Sequence, residues 1–264
     1  MTHLPPAGAL SLFTATILLA YTLAQYIQLP AQTLSLRFAG VYLELALNIN
    51  TLTNILVAAL VASGMDGLLR THPNLPEGTT VIHWLLPALS AWVLGATIAL
   101  LRPQQTWGLG VLIGGAVLAL VCVAEYIVVD PQDALYPWAT SGLNVLAFGL
   151  FLALAISLHE ANVRLFWRVP ALTLAAALTG LRVLHLHLRG RWAVWETYTA
   201  ALLTAQSAAF LHYWLLPSAR YGIFVLTPLY TFTTWQYARY RQTTRPWIEA
   251  LVAAALLVAL GVFL

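Results

Sequence analysis

About nine runs of some 20 apolar residues follow one another along this chain, and that succession limits its fold more than any other feature. A run of that length crosses the roughly 30 Å hydrocarbon core of a bilayer as a helix. No polar stretch is long enough to fold by itself, and only 8% of the 264 residues are charged against 61% hydrophobic. The reading is an all-α fold, a polytopic integral membrane helical bundle of about nine transmembrane helices, with eight possible, in a single transmembrane domain over residues 1–264. In a prokaryote its place would be the inner or plasma membrane. Membrane lipids are then its first partners, with a second copy or a larger complex as a further possibility.

The expected spans are 8–28, 43–65, 80–101, 107–129, 136–158, 167–186, 192–215, 220–237 and 247–264. Between them stand turn formers: Leu29-Pro30, His72-Pro73 through Pro76-Glu77-Gly78, Arg102-Pro103, Asp130-Pro131, Arg189-Gly190, Pro217-Ser218 and Arg245-Pro246. Arg37 to Tyr42 reads as a short interfacial lead-in to the second helix. No arginine or lysine precedes the first apolar run and no cleavage site follows it, so 8–28 is read as a retained helix. Nine crossings would put Arg70, Arg189, Arg191, Arg239, Arg241 and Arg245 on the N-terminal side and Arg37, Arg102, Arg164, Arg168 and Arg220 opposite. That division leaves the orientation open. If 167–186 did not cross, eight crossings would gather most arginines on one face.

All twelve basic residues are arginines, so a Schiff base to retinal or pyridoxal phosphate and a phosphate-loop lysine are excluded. Cys122 is the single cysteine and rules out an intramolecular disulfide, a cysteine zinc site or an iron–sulfur cluster. The net charge of +3 comes from arginines scattered over connectors, a topology signal and not a nucleic-acid-binding stripe.

Polar side chains at membrane depth are expensive, about 2.5–3.5 kcal/mol for a charge, so each asks for a reason. On a helix over 43–65, Glu44, Asn48, Asn50, Thr51 and Asn54 would share an arc of about 160°, turned toward other helices or water. Interhelical hydrogen bonding accounts for such an arc as well as a solute path does. Tyr21, Gln25 and Gln28 make a milder stripe on the first helix. Gly110, Gly114 and Gly115 permit close helix approach in the fourth. Pro87 and Pro228 would kink the third and eighth helices, with Thr227, Thr231 and Thr234 available for the freed carbonyls. Trp84, Trp107, Trp138, Trp167, Trp192, Trp195, Trp214 and Trp247 fall near span ends, as an aromatic belt does.

Sorting helix ends by side gathers Asp66, Arg70, His72, His83, Glu125, Asp130, Asp133, Arg182, His185, His187, Arg189, Arg191 and Glu196 on one face. The other holds mainly Glu44, His159, Glu160 and His212. A mixture of His, carboxylate and Arg serves general acid–base chemistry, and Arg can hold a phosphate or carboxylate headgroup. His185 and His187, two apart, point about 200° from each other on a helix and would not share a metal. No His-x-x-x-His, His-Glu-x-x-His or Asp-x-x-x-Asp pattern occurs, so no metal site is expected. Arg182 lies a turn deeper and must snorkel or pair, with Glu125 or Glu196 as partner.

Ala139-Thr140-Ser141-Gly142-Leu143 at the start of one helix and Gly180-Leu181-Arg182-Val183 at the end of the next are similar to motifs of the exosortase and archaeosortase membrane transpeptidases. That family places Cys-Ser-Gly at the outer end of a helix, an Arg after the following hairpin and a His further on. Here Thr140 stands in the nucleophile position and no His stands clearly in the third. The resemblance therefore implies a lost activity or a different one.

Three classes of function remain. An enzyme or lipid-binding protein acting on a lipid or polyisoprenoid headgroup at one membrane face would use Arg182, His185, Glu125 and Glu196 as catalytic groups. Glu44, Asn48, Asn54, His83, His187 and Arg189 are the candidates for holding substrate. A small-solute or proton-coupled transporter would use the polar arc with the kinked helices. A structural or cofactor-holding subunit of a larger complex would explain the polar groups as packing, with His212 a possible axial ligand to haem or chlorophyll. The gathering of ionisable groups at one face favours the first.

Overall fold

The computed structural model describes the backbone of residues 5–26, 32–38, 41–47, 49–75, 80–98, 100–101, 104–188 and 190–263, and the side chains of these outside 24–52 and 104–105. Among the described residues the chain forms α1 (Ala7–Tyr26), the strands β1 (Gln32–Phe38) and β2 (Val41–Leu47), and α2 (Ile49–Leu69). A 3-10 turn at Thr80–Trp84 leads into α3 (Leu85–Ile98), and then come α4 (Gln104–Ile127), α5 (Tyr136–Glu160) and α6 (Leu165–His187). The last three helices are α7 (Val194–Leu211), α8 (Ser218–Tyr240) and α9 (Pro246–Phe263). Apart from this hairpin the regular structure of the described residues is helical.

Among the described residues five segments are long and apolar enough to cross a membrane: Thr80–Ile98, Thr106–Ile127, Tyr136–Glu160, Leu165–His187 and Pro246–Phe263. Ala7–Leu23 and Thr53–Leu69 are shorter apolar helices. Their outer faces carry large exposed apolar side chains, such as Leu109, Leu112 and Ile113 on α4 and Leu251, Leu256 and Phe263 on α9. Surfaces of this kind are stable against lipid and not against water, and they point to integration in a membrane.

Local chemistry sets the helix ends. Asp133 Oδ1 accepts from Leu135 N at 2.8 Å, and Pro137 follows in the first turn of α5, where a missing N–H costs no intrahelical bond. After α6 the chain passes through Gly190 at φ +85°, whose N–H returns to the His185 carbonyl at 2.9 Å. This is the left-handed exit that glycine makes without a steric penalty.

The buried side chains form two main clusters that meet at α3. Leu86, Leu89 and Val93 pack with α5 to α8, while Ala91, Leu94 and Ile98 pack with α1, α2 and α4. Leu94 lies over Gly114 and Leu18 against Gly115, so the small residues of α4 let α3 and α1 come close.

Three expectations are corrected. The second helix begins at Ile49, not 43, because residues 32–38 and 41–47 pair as an antiparallel hairpin in the register Phe38↔Val41, Ser35↔Glu44 and Gln32↔Leu47. Thr-Leu-Ser-Leu-Arg-Phe alternates polar and apolar from Thr33, and Val-Tyr-Leu-Glu-Leu from Val41, which is the period of a strand. Arg37 and Tyr42 are thus paired strand residues and not an interfacial lead-in. Pro87 sits in the first turn of α3, where it breaks no ladder bond. Pro228 does lie inside α8, and Thr227 Oγ1 bonds the neighbouring Ile223 carbonyl at 2.9 Å, while Thr231 Oγ1 is enclosed without a partner.

Candidate functional site

Arg182 has 1% of its side chain exposed and Glu125 none. Two such groups persist at membrane depth only by neutralising each other. The geometry is a two-pronged clamp: Arg182 Nε donates to Glu125 Oε1 at 2.8 Å and Nη2 donates to Oε2. His83, from the 3-10 turn before α3, approaches Glu125 Oε2 with Nδ1 at 2.8 Å. Arg182 Nη2 lies 3.3 Å from the same Nδ1. An ionised carboxylate only accepts, so the shorter Glu125 contact favours the tautomer in which Nδ1 donates to it and Nε2 keeps the lone pair, and the longer arginine contact is then not a hydrogen bond. The His83 side chain is 15% exposed, against full enclosure of its partner. The start of α3 and the C-terminal ends of α4 and α6 therefore meet at one end of the bundle, around a buried arginine–carboxylate–histidine chain.

His185 lies one turn beyond Arg182, its ring edge-on to Trp192 at 5.9 Å between centroids and its Nδ1 enclosed without a partner. His187 turns away to α5 and α8, with Asn144 Nδ2 at 3.0 Å from its Nε2 and Tyr237 stacked on its ring at 4.3 Å. Glu196 is apart from Arg182 and pairs with Arg191 at 3.4 Å. Of the two partners foreseen for Arg182, it has taken Glu125. Glu44 is a strand residue opposite Ser35, so the helical arc drawn through it does not exist. Asn48 and Arg189 lie outside the described residues. The Asn54 side chain lies over Gly95 of α3, where a Cβ would overlap it, so it fills a helix contact.

Asn144 and Tyr237 escaped the sequence reading, because nothing in their spacing ties them to His187. Around the same end, Thr140 Oγ1, Asn144 Oδ1, Thr179 Oγ1 and Thr197 Oγ1 are enclosed without partners. Asp66 receives hydrogen bonds from Arg70 at 2.7 Å and from Thr80, and Asp130 receives one from Asn74 at 2.9 Å, both in connector contacts.

A second polar cluster occupies the other end of α6. Arg168, 3% exposed, sends Nη1 to His212 Nδ1 at 2.9 Å and to His159 Nδ1 at 3.2 Å. His159 Nε2 donates to the Leu216 carbonyl at 3.2 Å, and its ring stacks on Tyr221 at 4.3 Å. The guanidinium lies 5.5 Å from the Tyr221 ring centroid. Burial and the neighbouring Arg168 charge push His212, just past the end of α7, below the usual histidine range. His212 therefore offers its Nδ1 to a guanidinium.

Among the described residues no group of three or more His, Cys, Asp and Glu is placed to hold a metal ion. A cavity of about 620 Å³ lies among α7, α8 and α9, lined by Leu203, Phe224, Pro228, Thr231, Trp235 and Trp247 with other largely apolar residues.

Long apolar helices around a buried ionic chain define an integral membrane protein of the helical-bundle class. The chain belongs to the DUF5656 family, a family of unknown function, whose model matches residues 29–264. No curated protein and no solved structure matches it.

Proposed function

We propose that the protein is a membrane-embedded enzyme in which His83 is the general base, acting on a lipid or polyisoprenoid headgroup at one membrane face. The observation that carries this reading is Glu125, fully enclosed, gripped through both oxygens by Arg182 and holding His83 by Nδ1. Arg182 fixes the carboxylate, the carboxylate fixes the imidazole tautomer, and Nε2 is left to take a proton from a substrate hydroxyl or from water. Arg182 is thus a positioning residue here and not a headgroup clamp, and Glu125 stabilises the imidazolium that forms.

On this reading all nine helices cross the membrane, which puts the start of α3 and the ends of α4 and α6 at one face, where lipid headgroups are. Enclosed, unpartnered hydroxyl and amide groups of Thr140, Asn144, Thr179 and Thr197 near this end supply hydrogen-bonding capacity for a polar headgroup. The Asn54 contact with Gly95 accounts for an α2 carboxamide as packing, which favours the enzyme over a solute path along α2.

The test is mass spectrometry of nanodisc lipids, drawn from total bacterial extracts and doped with polyprenyl phosphate, before and after incubation with the purified protein. Wild type is expected to alter a headgroup, and His83→Ala, folded to the same thermal midpoint, to do so about a hundredfold more slowly or worse. An unchanged lipid pool with wild type, or equal turnover by His83→Ala, would sink the reading.

A further inference from the structure

Arg168 poses a problem that Arg182 does not. A guanidinium keeps its charge in proteins, and removing one from water requires a compensating anion. Arg182 has Glu125. Arg168 is 3% exposed, makes no ion pair among the described residues, and spends its described contacts on two histidines and a tyrosine, none of which is an anion. Its Nε is enclosed and has no hydrogen-bond partner. The nearest acidic side chain in sequence, Glu160, is exposed at the end of α5 and does not pair with it.

The surroundings add positive potential. Arg168 stands in the first turns of α6 and Tyr221 in the first turn of α8, so two helix N-termini converge here, and neither has a side-chain cap. Arg164 is the N-cap residue of α6, and Arg220, beside Tyr221, also has an enclosed Nε without a partner. Free donors, a buried guanidinium and uncapped helix starts are what an oxyanion needs.

We propose that Arg168, steadied by His159, His212 and Tyr221, binds a phosphate-type oxyanion at the end of α6 opposite Glu125, with Arg220 and the first-turn N–H groups of α6 and α8 as further donors. The histidines and the tyrosine aim the guanidinium, and the anion takes Nε. The anion is a free phosphate or the phosphate of a lipid. The apolar cavity along α8 begins at Phe224, one helical turn from Tyr221, which gives a lipid source a place for its chain.

The test uses the full chain in phosphatidylcholine nanodiscs and follows the thermal midpoint in two titrations: inorganic phosphate against chloride at matched ionic strength, and phosphatidic acid replacing part of the phosphatidylcholine. At least one probe is expected to raise the wild-type midpoint saturably, with the affinity about tenfold or more weaker in Arg168→Gln. A response to phosphate alone names a soluble anion, a response to phosphatidic acid alone names a lipid, and a response to both names the phosphate group itself. If Arg168→Gln gives no folded protein, Arg168→Lys is compared instead, since an ammonium lacks the forked donors and is expected to bind more weakly. No saturable shift in wild type with either probe overturns the proposal. So does a binding curve unchanged in the variant. Because the readout is binding at the far end of α6, failure here leaves the His83 reading standing, and the converse holds.

Discussion

Two arginines lie on α6, fourteen residues and about 21 Å apart and nearly in line along the helix, and they keep different company. Arg182 faces a carboxylate held through both oxygens, whereas Arg168 faces two histidines and the ring of Tyr221. The first arrangement is electrically closed, and its free capacity lies in the histidine that the carboxylate orients. The second is electrically open, and its free capacity is the charge itself. One residue type on one helix thus makes a rigid support at one end and an anion receptor at the other, and the neighbours decide which.

The sharpest way to break this comparison is to neutralise each end in turn. Glu125→Gln leaves Arg182 buried and unpaired and should cost about 3–5 kcal/mol, read as a large fall in the unfolding midpoint in detergent. Arg168→Gln removes a charge that has no counter-ion among the described residues, and in phosphate-free buffer it should leave stability within about 1 kcal/mol of wild type or raise it. Equal losses at both ends would erase the distinction.

A second experiment sharpens the closed end. Replacing the pair together, Glu125→Leu with Arg182→Met, should recover most of the stability lost in Glu125→Gln, since well-packed apolar residues often match a buried ion pair. A double variant no better than the single one would show that the pair also orders the chain around it.

Smaller effects probe the open end. Tyr221→Phe keeps the ring stacked on His159 but removes the hydroxyl that donates to the Ala208 carbonyl at 3.4 Å, and should cost about 0.5–1.5 kcal/mol by chemical unfolding. The smallest change is in pH. His212 has a folded-state pKa below its ordinary 6.5, so the unfolded chain binds the proton more readily. The stability it contributes is full above about pH 6.5 and is lost as pH falls through the lowered folded value. His159, Arg168 and Tyr221 share the cluster, so the His212 share is read as the difference between wild type and His212→Gln. The variant should lose less between pH 7 and 5. A steeper loss in the variant would mean that His212 is held protonated.

Much of the helical layout was legible because an apolar run of membrane-spanning length admits few other structures in lipid. The expected 136–158 and 167–186 are α5 and α6 to within a few residues. The hairpin was legible too, in the alternation from Thr33 to Phe38 and from Val41 to Leu47, but length-based reading of apolar runs absorbed its second strand into a helix. At the candidate site, depth alone implied that Arg182 needs a partner, and the short supply of carboxylates narrowed the choice to two. The contact of His187 with Asn144, 43 residues away, had no local signal.

By itself, the sequence determined the class of environment and the obligations inside it: apolar helices for lipid, no lysine chemistry, no intramolecular disulfide or cysteine-held metal cluster, and a compensating partner for every buried charge. Only the tertiary structure decided how those obligations were met. It brought His83 and Arg182, 99 residues apart, to the same carboxylate and left Arg168 among neutral groups. The reason is physical. Hydrophobic length is a one-dimensional property that a chain carries wherever it goes, whereas an ion pair depends on which helix ends packing brings within about 3 Å of each other.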